Sequence, residues 1–278
     1  MNFSNPRRVL ITGAASGIGL ATAQRLHHAG WHVYAGVLPD DDTAALQALA
    51  QAVIPFDITQ PEQIQNAYER IQADGDTLHG LVNSAGINVP GTLQTMPLDA
   101  VRQVLDVNVL GHLQVIRALL PLLMPVQGRI VNVSSIMGRV AMPTLGAYSM
   151  SKHALEALTD VLRLELAPVG VDVISVLPGA VQTPMTDGMT GALDEALAQL
   201  DAEAQAQYAP LFADMKQALQ AQAANATPAE AVAEAIYDAV SAKRPKTRYA
   251  IGAAAAGLLL MRRLAPDAVS DVILRRAL

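Results

Sequence analysis

Short apolar runs alternate along the chain with longer segments whose apolar positions recur every three or four residues. Apolar runs without an alternating polar face are typical of strands buried on both sides of a parallel sheet. The longer segments predict amphipathic helices. The pattern therefore predicts an α/β fold with a doubly wound parallel sheet of about seven strands. The predicted strands cover residues 9–11, 31–37, 53–57, 78–83, 128–134, 171–177 and 247–251.

Three stretches of the helical pattern differ from ordinary crossover helices. Residues 98–123 form one long apolar-periodic segment, and residues 184–226 are rich in Ala, Gln and Met, with little β character. We expect one or two helices in this 184–226 insertion. The C-terminal extension, residues 252–278, predicts an amphipathic helix that packs on the insertion, on another subunit or on a membrane surface. We interpret residues 1–278 as a single domain.

Composition and charge exclude several classes of function. The net charge is −6, and the longest run of Lys and Arg is two residues, which argues against nucleic acid as a partner. Cysteine is absent, so the chain has neither disulfides nor thiolate metal sites. No hydrophobic leader precedes the first strand, which predicts a cytoplasmic protein. The longest apolar run, residues 249–261, is shorter than the ~20 residues of a membrane span, so we expect no transmembrane segment.

The stretch from Ser134 to Lys152 carries the clearest candidate chemistry. Tyr148 and Lys152 are four residues apart, which places both side chains on one face of a helix. An ammonium beside a phenol favours the phenolate and lowers the pKa of that phenol from its usual ~10. Ser135 lies upstream and could polarise a substrate oxygen. Such a centre could oxidise an alcohol or reduce a ketone, although a packed Tyr and a solvated Lys also share this spacing.

An overlapping motif allows a different interpretation. Ser149-Met-Ser-Lys152 fits the S-x-x-K of serine penicillin-binding proteins and β-lactamases. Those enzymes also need S-D-N and K-T-G elements. The sequence contains no S-D-N, and its nearest counterpart of K-T-G is Lys246-Thr247-Arg248, in which Arg replaces Gly.

A glycine-rich turn follows the first predicted strand. It reads Thr12-Gly13-Ala-Ala-Ser-Gly17-Ile-Gly19 and leads into a helix predicted for residues 20–29. In this context glycines let backbone N–H groups approach a pyrophosphate at the positive end of the helix. A plain structural turn would explain the glycines equally well if nothing else accompanied them.

The glycine turn, Ser135 and Tyr148-x-x-x-Lys152 together resemble the classical short-chain dehydrogenase/reductase family. The resemblance extends from residue 7 to about residue 250, and the main departure is Ser84, where the family usually has a second Asn. Three further elements occur in the family's order, namely Asn83-Ser-Ala-Gly86, Asn108 within DVNVLG, and Pro178-Gly179 followed by Thr183.

The resemblance implies a Rossmann-type fold, an NAD(P)-dependent oxidoreductase and a set of site residues. It makes Asn108, Ser135, Tyr148 and Lys152 catalytic, with Asn108 bending its helix and holding a water that relays protons. It makes residues 184–226 a lid over the substrate pocket. The implied cofactor-binding residues are Gly13, Ser16, Gly17, Ile18, Gly19, Val37, Asp57, Ile58, Asn83, Ala85, Gly86, Tyr148, Lys152, Pro178, Gly179, Val181 and Thr183.

The end of the second strand indicates which nicotinamide cofactor is used. An acidic residue there binds the adenosine ribose in Rossmann-type folds, and a nearby Arg accommodates a 2′-phosphate. The corresponding positions are Val37 and Leu38, both uncharged, and residues 40–42 are all Asp. Because these carboxylates would repel a phosphate, we expect NAD to be preferred, with NADP possible.

The candidate substrate residues are Met137, Met142, Leu145, Met185 and Met189, all of them apolar. They predict a bulky lipophilic secondary alcohol or ketone, such as a steroid or retinoid. The strand WHVYAGVL also looks similar to the branch with retinol, hydroxysteroid and 3-hydroxybutyrate dehydrogenases. Two alternatives stay open, a 3-hydroxy acid dehydrogenase, for which Arg139 is the nearby cation, and a non-catalytic NAD(P)-binding sensor.

The sequence also leads to expectations about metal ions, ligands and oligomeric state. The six histidines do not form a metal-binding spacing, so we expect no metal. The only expected ligand besides the cofactor is a small-molecule substrate. The resemblance implies a homo-tetramer or homo-dimer that pairs through helices 98–123 and 145–167.

Overall fold

A computed structural model describes residues 6–75, 77–252 and 255–276, with side chains up to residue 273. Seven parallel strands form one sheet in the order β3-β2-β1-β4-β5-β6-β7. The predicted doubly wound sheet is therefore confirmed, and each strand lies within about two residues of its predicted position. The strands are β1 (Arg8–Thr12), β2 (His32–Val37), β3 (Ala52–Pro55), β4 (Gly80–Asn83), β5 (Arg129–Val133), β6 (Asp172–Pro178) and β7 (Arg248–Ile251).

Eleven α-helices occur in the described part of the chain, and five of the long ones cover the two faces of the sheet. The helices are α1 (Gly17–His28), α2 (Pro61–Ala73), α3 (Leu98–Leu105), α4 (His112–Leu123), α5 (Gly146–Leu166), α6 (Pro184–Asp187), α7 (Met189–Ala198), α8 (Ala202–Ala223), α9 (Ala229–Ser241), α10 (Ala255–Leu264) and α11 (Asp267–Arg276).

Two hydrophobic cores lie on opposite faces of the sheet. Val9 and Ile11 of β1 belong to the core beneath α1 and α9. Leu10, the residue between them, belongs to the core beneath α2, α4 and α5. Successive side chains of a strand point to opposite faces, so a continuous apolar run buries both sides of the sheet. This explains why the strands read as unbroken apolar segments.

The long apolar segment is one continuous helical stretch with a widened turn inside it. A π-helical turn, Asp106–Gly111, joins α3 to α4. Within the described chain, one stretch, Leu98–Val126, is long and apolar enough to cross a bilayer, with mean hydropathy 1.6. This feature differs from our expectation of no transmembrane segment, but core helices have the same length and composition. Of the most apolar 18-residue segment of this stretch, 39% is buried inside the protein.

The 184–226 insertion folds into α6, α7 and α8, which is more than the predicted one or two helices. Leu193, Phe212 and Met215 of this insertion are buried against Leu145, in front of α5. The extension after residue 252 forms two short helices, and its residues 253, 254, 277 and 278 lie outside the described residues. The start of α10 packs beside residues 136 and 137. The division of the chain into one domain, a lid and an extension stays a prediction.

Candidate active site

A cleft of ≈450 Å³ opens along the carboxyl ends of the strands, where ligands bind in open parallel sheets. It is lined by the last residues of strands and by the turns that follow them. The predicted site residues that line it are Gly13, Ser16, Gly17, Ile18, Gly19, Val37, Asp57, Ile58, Ala85, Gly86, Ser135, Tyr148, Lys152, Pro178, Gly179, Val181, Thr183 and Met185. The structure thus gathers most of the predicted site into one place.

The glycine turn brings the backbone close to the cleft. Gly13 adopts a left-handed φ of 64°, and a Cβ there would lie 2.8 Å from the Ala85 Cα. A Cβ on Gly19 would lie 2.0 Å from the carbonyl oxygen of Gly13. Only glycine fits either position. The first turn of α1, which begins at Gly17, consequently presents its N-terminus to the cleft, an arrangement that suits a pyrophosphate.

Ser135, Tyr148 and Lys152 converge at one end of this cleft. Ser135 begins the short turn after β5, where its Oγ accepts a hydrogen bond from the Met137 backbone N–H at 3.1 Å. Its side chain also hydrogen-bonds that of Tyr148. Lys152 is 4% exposed, and its Nζ lies 5.5 Å from the centroid of the Tyr148 ring. The three side chains are brought together by α5 packing against the turn that follows β5.

Burial determines the titration of both α5 side chains. Removal from water raises the pKa of Tyr148 to about 12, and its hydrogen bond with Ser135 opposes the increase. Burial also disfavours the charged form of Lys152 and lowers its pKa to about 8, although the negative charge of Glu156 acts in the opposite direction. The net shift of the Tyr148 pKa is therefore upward, opposite to the direction that we predicted from the neighbouring Lys152, because loss of hydration dominates.

The β-lactamase-like interpretation of Ser149 and Lys152 is also wrong. The Lys152 amine donates to the carbonyl oxygen of Val133 at 2.9 Å. The Ser149 hydroxyl has no hydrogen-bond partner and lines a different cavity. A nucleophilic serine needs its base within hydrogen-bond reach. Arg248, from the supposed third element, forms an ion pair with Glu156.

Glu156 lies one turn beyond Lys152 and belongs to a buried ionic network that the sequence analysis missed. Its Oε2 accepts hydrogen bonds from Arg139 at 2.9 Å and from Arg248 at 2.9 Å. Its Oε1 accepts a hydrogen bond from Ser175. With a side-chain exposure of 3%, this carboxylate connects α5 to β6 and β7. The i, i+4 spacing from Lys152 was the signal available in the sequence.

Asn108 is fully buried in the π-helical turn and does not line the cleft. Its Oδ1 accepts from the Ile87 N–H at 2.9 Å, and its Nδ2 donates to the Ile87 carbonyl at 2.9 Å and to the Ser151 Oγ at 3.0 Å. The amide group therefore ties the turn after Gly86 to α5. The π-helical turn agrees with the predicted bend of the helix at Asn108. The catalytic assignment of this residue stays a prediction.

Asn83 also lies away from the cleft, contrary to its predicted contact with the cofactor. It is fully buried, and its Nδ2 donates to the Oδ1 of Asn132 at 2.8 Å. Asn132 donates in turn to Thr159 of α5 at 2.8 Å. This chain of hydrogen bonds holds β4, β5 and α5 in register beneath the site. Asn132 is a further positioning residue that the sequence motifs did not reveal.

The far end of the cleft carries a negative charge. Val37 and Leu38 line it, as does Asp41, the second of the three consecutive Asp residues. The Asp41 Oδ2 accepts a 2.8 Å hydrogen bond from the Leu38 N–H, which fixes the carboxylate against the end of β2. Within the described lining of the cleft, Lys152 is the one basic side chain.

The candidate substrate residues lie in four places. Met185 lines the cleft. Leu145 and Met189 are buried in the apolar cluster beneath the lid, and Met137 packs beside Tyr148 and α10. Met142 packs against both of these apolar clusters and also lines a second cavity. The grouping of all five residues in one substrate pocket stays a prediction.

The described side chains do not form a metal-binding cluster. No group of three His, Asp or Glu side chains suited to a metal ion occurs in residues 6–75, 77–252 and 255–276. His112 is fully buried, with its Nε2 2.8 Å from the Ala85 carbonyl oxygen, and burial lowers its pKa to about 3. It is therefore a neutral packing residue beside the site.

Comparisons with known proteins cover almost the whole chain. A family model described as short chain dehydrogenase matches residues 7–194. Retinol dehydrogenase 5 of Mus musculus is 36% identical, over 96% of this chain and 87% of that protein. The 17-beta-hydroxysteroid dehydrogenase type 6 of Bos taurus is 37% identical, over 97% and 88%. A short chain dehydrogenase from Burkholderia cenocepacia, solved in complex with NADP, has a TM-score of 0.75 and 27% identity, over 97% of this chain and 98% of that chain.

Proposed function

This chain belongs to the short-chain dehydrogenase family and is an NAD(P)-dependent oxidoreductase, and we propose that its substrate is a bulky lipophilic secondary alcohol or the corresponding ketone, such as a steroid or retinoid. The family resemblance identified from the motifs is confirmed. The observation that carries the proposal is the convergence of Ser135, Tyr148 and Lys152 in a cleft whose described lining has no other basic group.

The lining of the cleft offers contacts for each part of a dinucleotide. The N-terminus of α1 would hold the pyrophosphate, and the turn containing Ala85 and Gly86 would support the centre of the cofactor. Lys152 would hydrogen-bond the nicotinamide ribose, and Thr183 would bind the carboxamide. The bound nicotinamide supplies the site for hydride donation or acceptance.

Tyr148 is the proton donor and acceptor of the proposed reaction. With its pKa raised to about 12, the phenol is protonated at neutral pH, which is the state that gives a proton to a developing alkoxide. Ser135 holds the same substrate oxygen through its hydroxyl. At neutral pH the phenol is therefore in the protonation state that reduction of a ketone needs. Oxidation of an alcohol runs the same proton transfer backwards and needs the phenolate.

The polarity of the site supports a lipophilic substrate. Ile87, Val107 and Met185 contribute apolar side chains to the lining of the cleft. Arg139, the cation considered for a 3-hydroxy acid, forms ion pairs with Glu156 and Asp160. It is therefore engaged within the protein. Retinol and 17-beta-hydroxysteroid dehydrogenases among the relatives agree with a lipophilic alcohol.

The preference for NAD rests on charge at the far end of the cleft. Asp41 would face the adenosine ribose, where its carboxylate accepts hydrogen bonds from hydroxyls but repels a 2′-phosphate. The comparisons support binding of NAD(P) without a preference, since one similar structure contains NADP. NAD is therefore our proposal from the local electrostatics.

A panel of substrates tests the proposed function. The purified protein is mixed with NADH or NADPH and a series of ketones, from acetoacetate to a 17-ketosteroid, and oxidation of the cofactor is followed by absorbance. We expect kcat/KM for the steroid to exceed that for acetoacetate by about a hundredfold. Faster turnover of acetoacetate would support the 3-hydroxy acid alternative. Tight cofactor binding without turnover of any ketone or alcohol would support the sensor alternative.

We further propose a homo-dimer or homo-tetramer in the cytoplasm. Apolar side chains are exposed on the outer faces of the two long helical segments, including Leu110, Val161 and Leu164, the last at 77%. Pairing of these faces between copies would bury them. Analytical ultracentrifugation of the wild-type protein and of Leu164→Glu tests this assembly, and a monomeric wild type would contradict it.

A further inference from the structure

A second cavity, of ≈690 Å³, lies on the side of α5 turned away from the catalytic pair. Gly146, Ser149, Met150 and His153 form its α5 wall. At 100° per residue, these positions lie roughly 80–180° around the helix from the Tyr148–Lys152 face. The remaining walls come from residues 91–93, residues 141–144 and the lid helix α8.

Two buried hydroxyl groups in this cavity have no hydrogen-bond partner. Thr144 and Ser149 are each 3% exposed, both line the cavity, and neither Oγ has a hydrogen-bond partner among the described residues. Buried polar groups in native proteins are nearly always paired, because an unpaired hydroxyl loses its bonds to water. The two oxygens are almost fully covered by neighbouring atoms, so an occupant of the cavity would bond to them once the Thr144 and Ser149 side chains rotate toward it.

Thr144 also has an unusual backbone conformation. Its φ is 57°, a left-handed value that is rare for a β-branched residue. The strained conformation is held in place by the neighbouring turn, because the Thr144 carbonyl accepts a hydrogen bond from the Gly91 N–H at 2.8 Å. Strain of this kind is concentrated at binding and catalytic sites.

The other walls define the chemistry of the occupant. Leu93, Met142, Met150 and Leu211 present apolar side chains. The described lining contains no Asp, Glu, Lys or Arg. The ionisable side chains in the described lining are His153 and Tyr208. The Nδ1 of His153 lies 2.8 Å from the Ser149 carbonyl oxygen. The lining suits an uncharged molecule, and the volume falls within the range for small organic ligands.

We propose that this cavity is a second binding site for an uncharged lipophilic molecule with a hydroxyl or carbonyl group, bound through Thr144 and Ser149. The occupant contacts both α8 and the loop in front of α5, and so connects the lid to the sheet domain. The site does not depend on which alcohol or ketone reacts at Tyr148.

The tertiary alcohol α-terpineol is a suitable probe, because it has no hydrogen on its carbinol carbon and cannot give up a hydride. Its binding to the full-length protein is measured by isothermal titration calorimetry. In the double variant Thr144→Val/Ser149→Ala we expect binding about tenfold weaker, since two hydrogen bonds are lost while the shape is kept. The variant Leu211→Trp, which fills the cavity from α8, should abolish binding. Tyr148→Phe should leave the affinity unchanged.

Control measurements separate this site from folding defects and from the catalytic cleft. Thermal unfolding and NADH binding verify that each variant is folded with an intact cofactor cleft. Equal affinity in the wild type, the double variant and Leu211→Trp would overturn the proposal, as would absence of binding to the wild type. The proposal also fails if the double variant changes the sedimentation coefficient instead of the affinity, which would identify this face as a contact between two copies.

Discussion

The Lys152 amine donates a 2.9 Å hydrogen bond to the carbonyl oxygen of Val133, the last residue of β5. This bond fixes the amine beside the cleft, on the same face of α5 as Tyr148. The Val133 carbonyl satisfies only one of the three ammonium donors. The others remain available for a ribose hydroxyl, so one side chain can orient the cofactor and influence the proton-transfer group.

Replacement of Lys152 by Met should change how stability depends on pH. In the wild type the folded-state pKa is about 8, against 10.5 in the unfolded chain. Between these values the unfolded chain binds a proton that the folded protein has released, so stability increases with pH over this window, by about 3 kcal/mol in total. The Met variant lacks this increase. Urea unfolding at intervals from pH 7 to pH 10 measures the difference.

The absolute stability of the Lys152→Met variant also reflects the loss of the bond to Val133, so the pH-dependent part is the decisive quantity. Tyr148 titrates near pH 12 in the folded protein and contributes mainly above this window. Lys152→Arg is the matched variant, because it keeps a positive charge at every pH used. Parallel stability curves for the wild type and Lys152→Met would show that the amine is not desolvated as described.

Replacement of Tyr148 by Phe should abolish proton transfer while the cofactor still binds. We expect kcat for ketone reduction to decrease about a thousandfold and the Kd for NADH to change by less than about twofold. Steady-state kinetics and a fluorescence titration of NADH measure the two quantities. Tyr68→Phe, on α2, is the control and should react like the wild type. A variant at position 148 with wild-type turnover would disprove the role of the phenol.

The initial rates of ketone reduction and alcohol oxidation should depend differently on pH, because each needs a different protonation state of Tyr148. Because Tyr148 is protonated at neutral pH, ketone reduction should proceed readily there, and alcohol oxidation by the wild type should become faster as the pH is raised toward 10. Initial rates in both directions, measured with one alcohol–ketone pair, test this expectation. Rates of oxidation that decline steadily from pH 7 would contradict it.

Replacement of Glu156 by Gln should lower the free energy of unfolding and narrow the pH range of catalysis at its alkaline end. The change leaves Arg139 and Arg248 without their buried partner and should destabilise the protein by about 2–3 kcal/mol, since both arginines are partly exposed. It also removes the negative charge that favours protonated Lys152. We therefore expect the alkaline limit of kcat/KM to move to lower pH. Urea unfolding and a pH–rate profile measure the two effects.

Glu165→Gln provides the control for Glu156, because it makes the same chemical change at an exposed position of α5. Its stability and pH profile should match those of the wild type. A Glu156→Gln variant that is destabilised but keeps the wild-type pH profile would limit the carboxylate to a structural role. A variant unchanged in both respects would contradict the ionic network.

Most of the fold and much of the cleft could be predicted from the sequence, since both depend on local patterns. The apolar runs identify the strands, and the i, i+4 pair identifies Tyr148 and Lys152. Contacts between distant segments could not be predicted in this way. The burial of Asn83 depends on Asn132, a neighbour only in the sheet, and the location of Leu145 depends on how the lid packs.

The direction of the Tyr148 pKa shift could not be predicted from the sequence for the same reason, since it also depends on contacts between distant segments. Spacing along the helix establishes that Lys152 is near, which by itself predicts a lowered pKa for the phenol. The sign of the actual shift depends on how much water surrounds the ring, and this is decided by the packing of α5 against the turn after Ser135.

Replacement of Asp41 by Asn should change the choice of cofactor. The amide oxygen of Asn can still accept the hydrogen bond from Leu38, so the turn after β2 is preserved while its negative charge is removed. We expect the preference for NADH over NADPH, taken as the ratio of kcat/KM values, to decrease about tenfold, because repulsion of the 2′-phosphate is relieved. Asp40→Asn is the control, since Asp40 is exposed and does not line the cleft. An unchanged ratio in Asp41→Asn, or an equal decrease in Asp40→Asn, would mean that Asp41 does not select the cofactor.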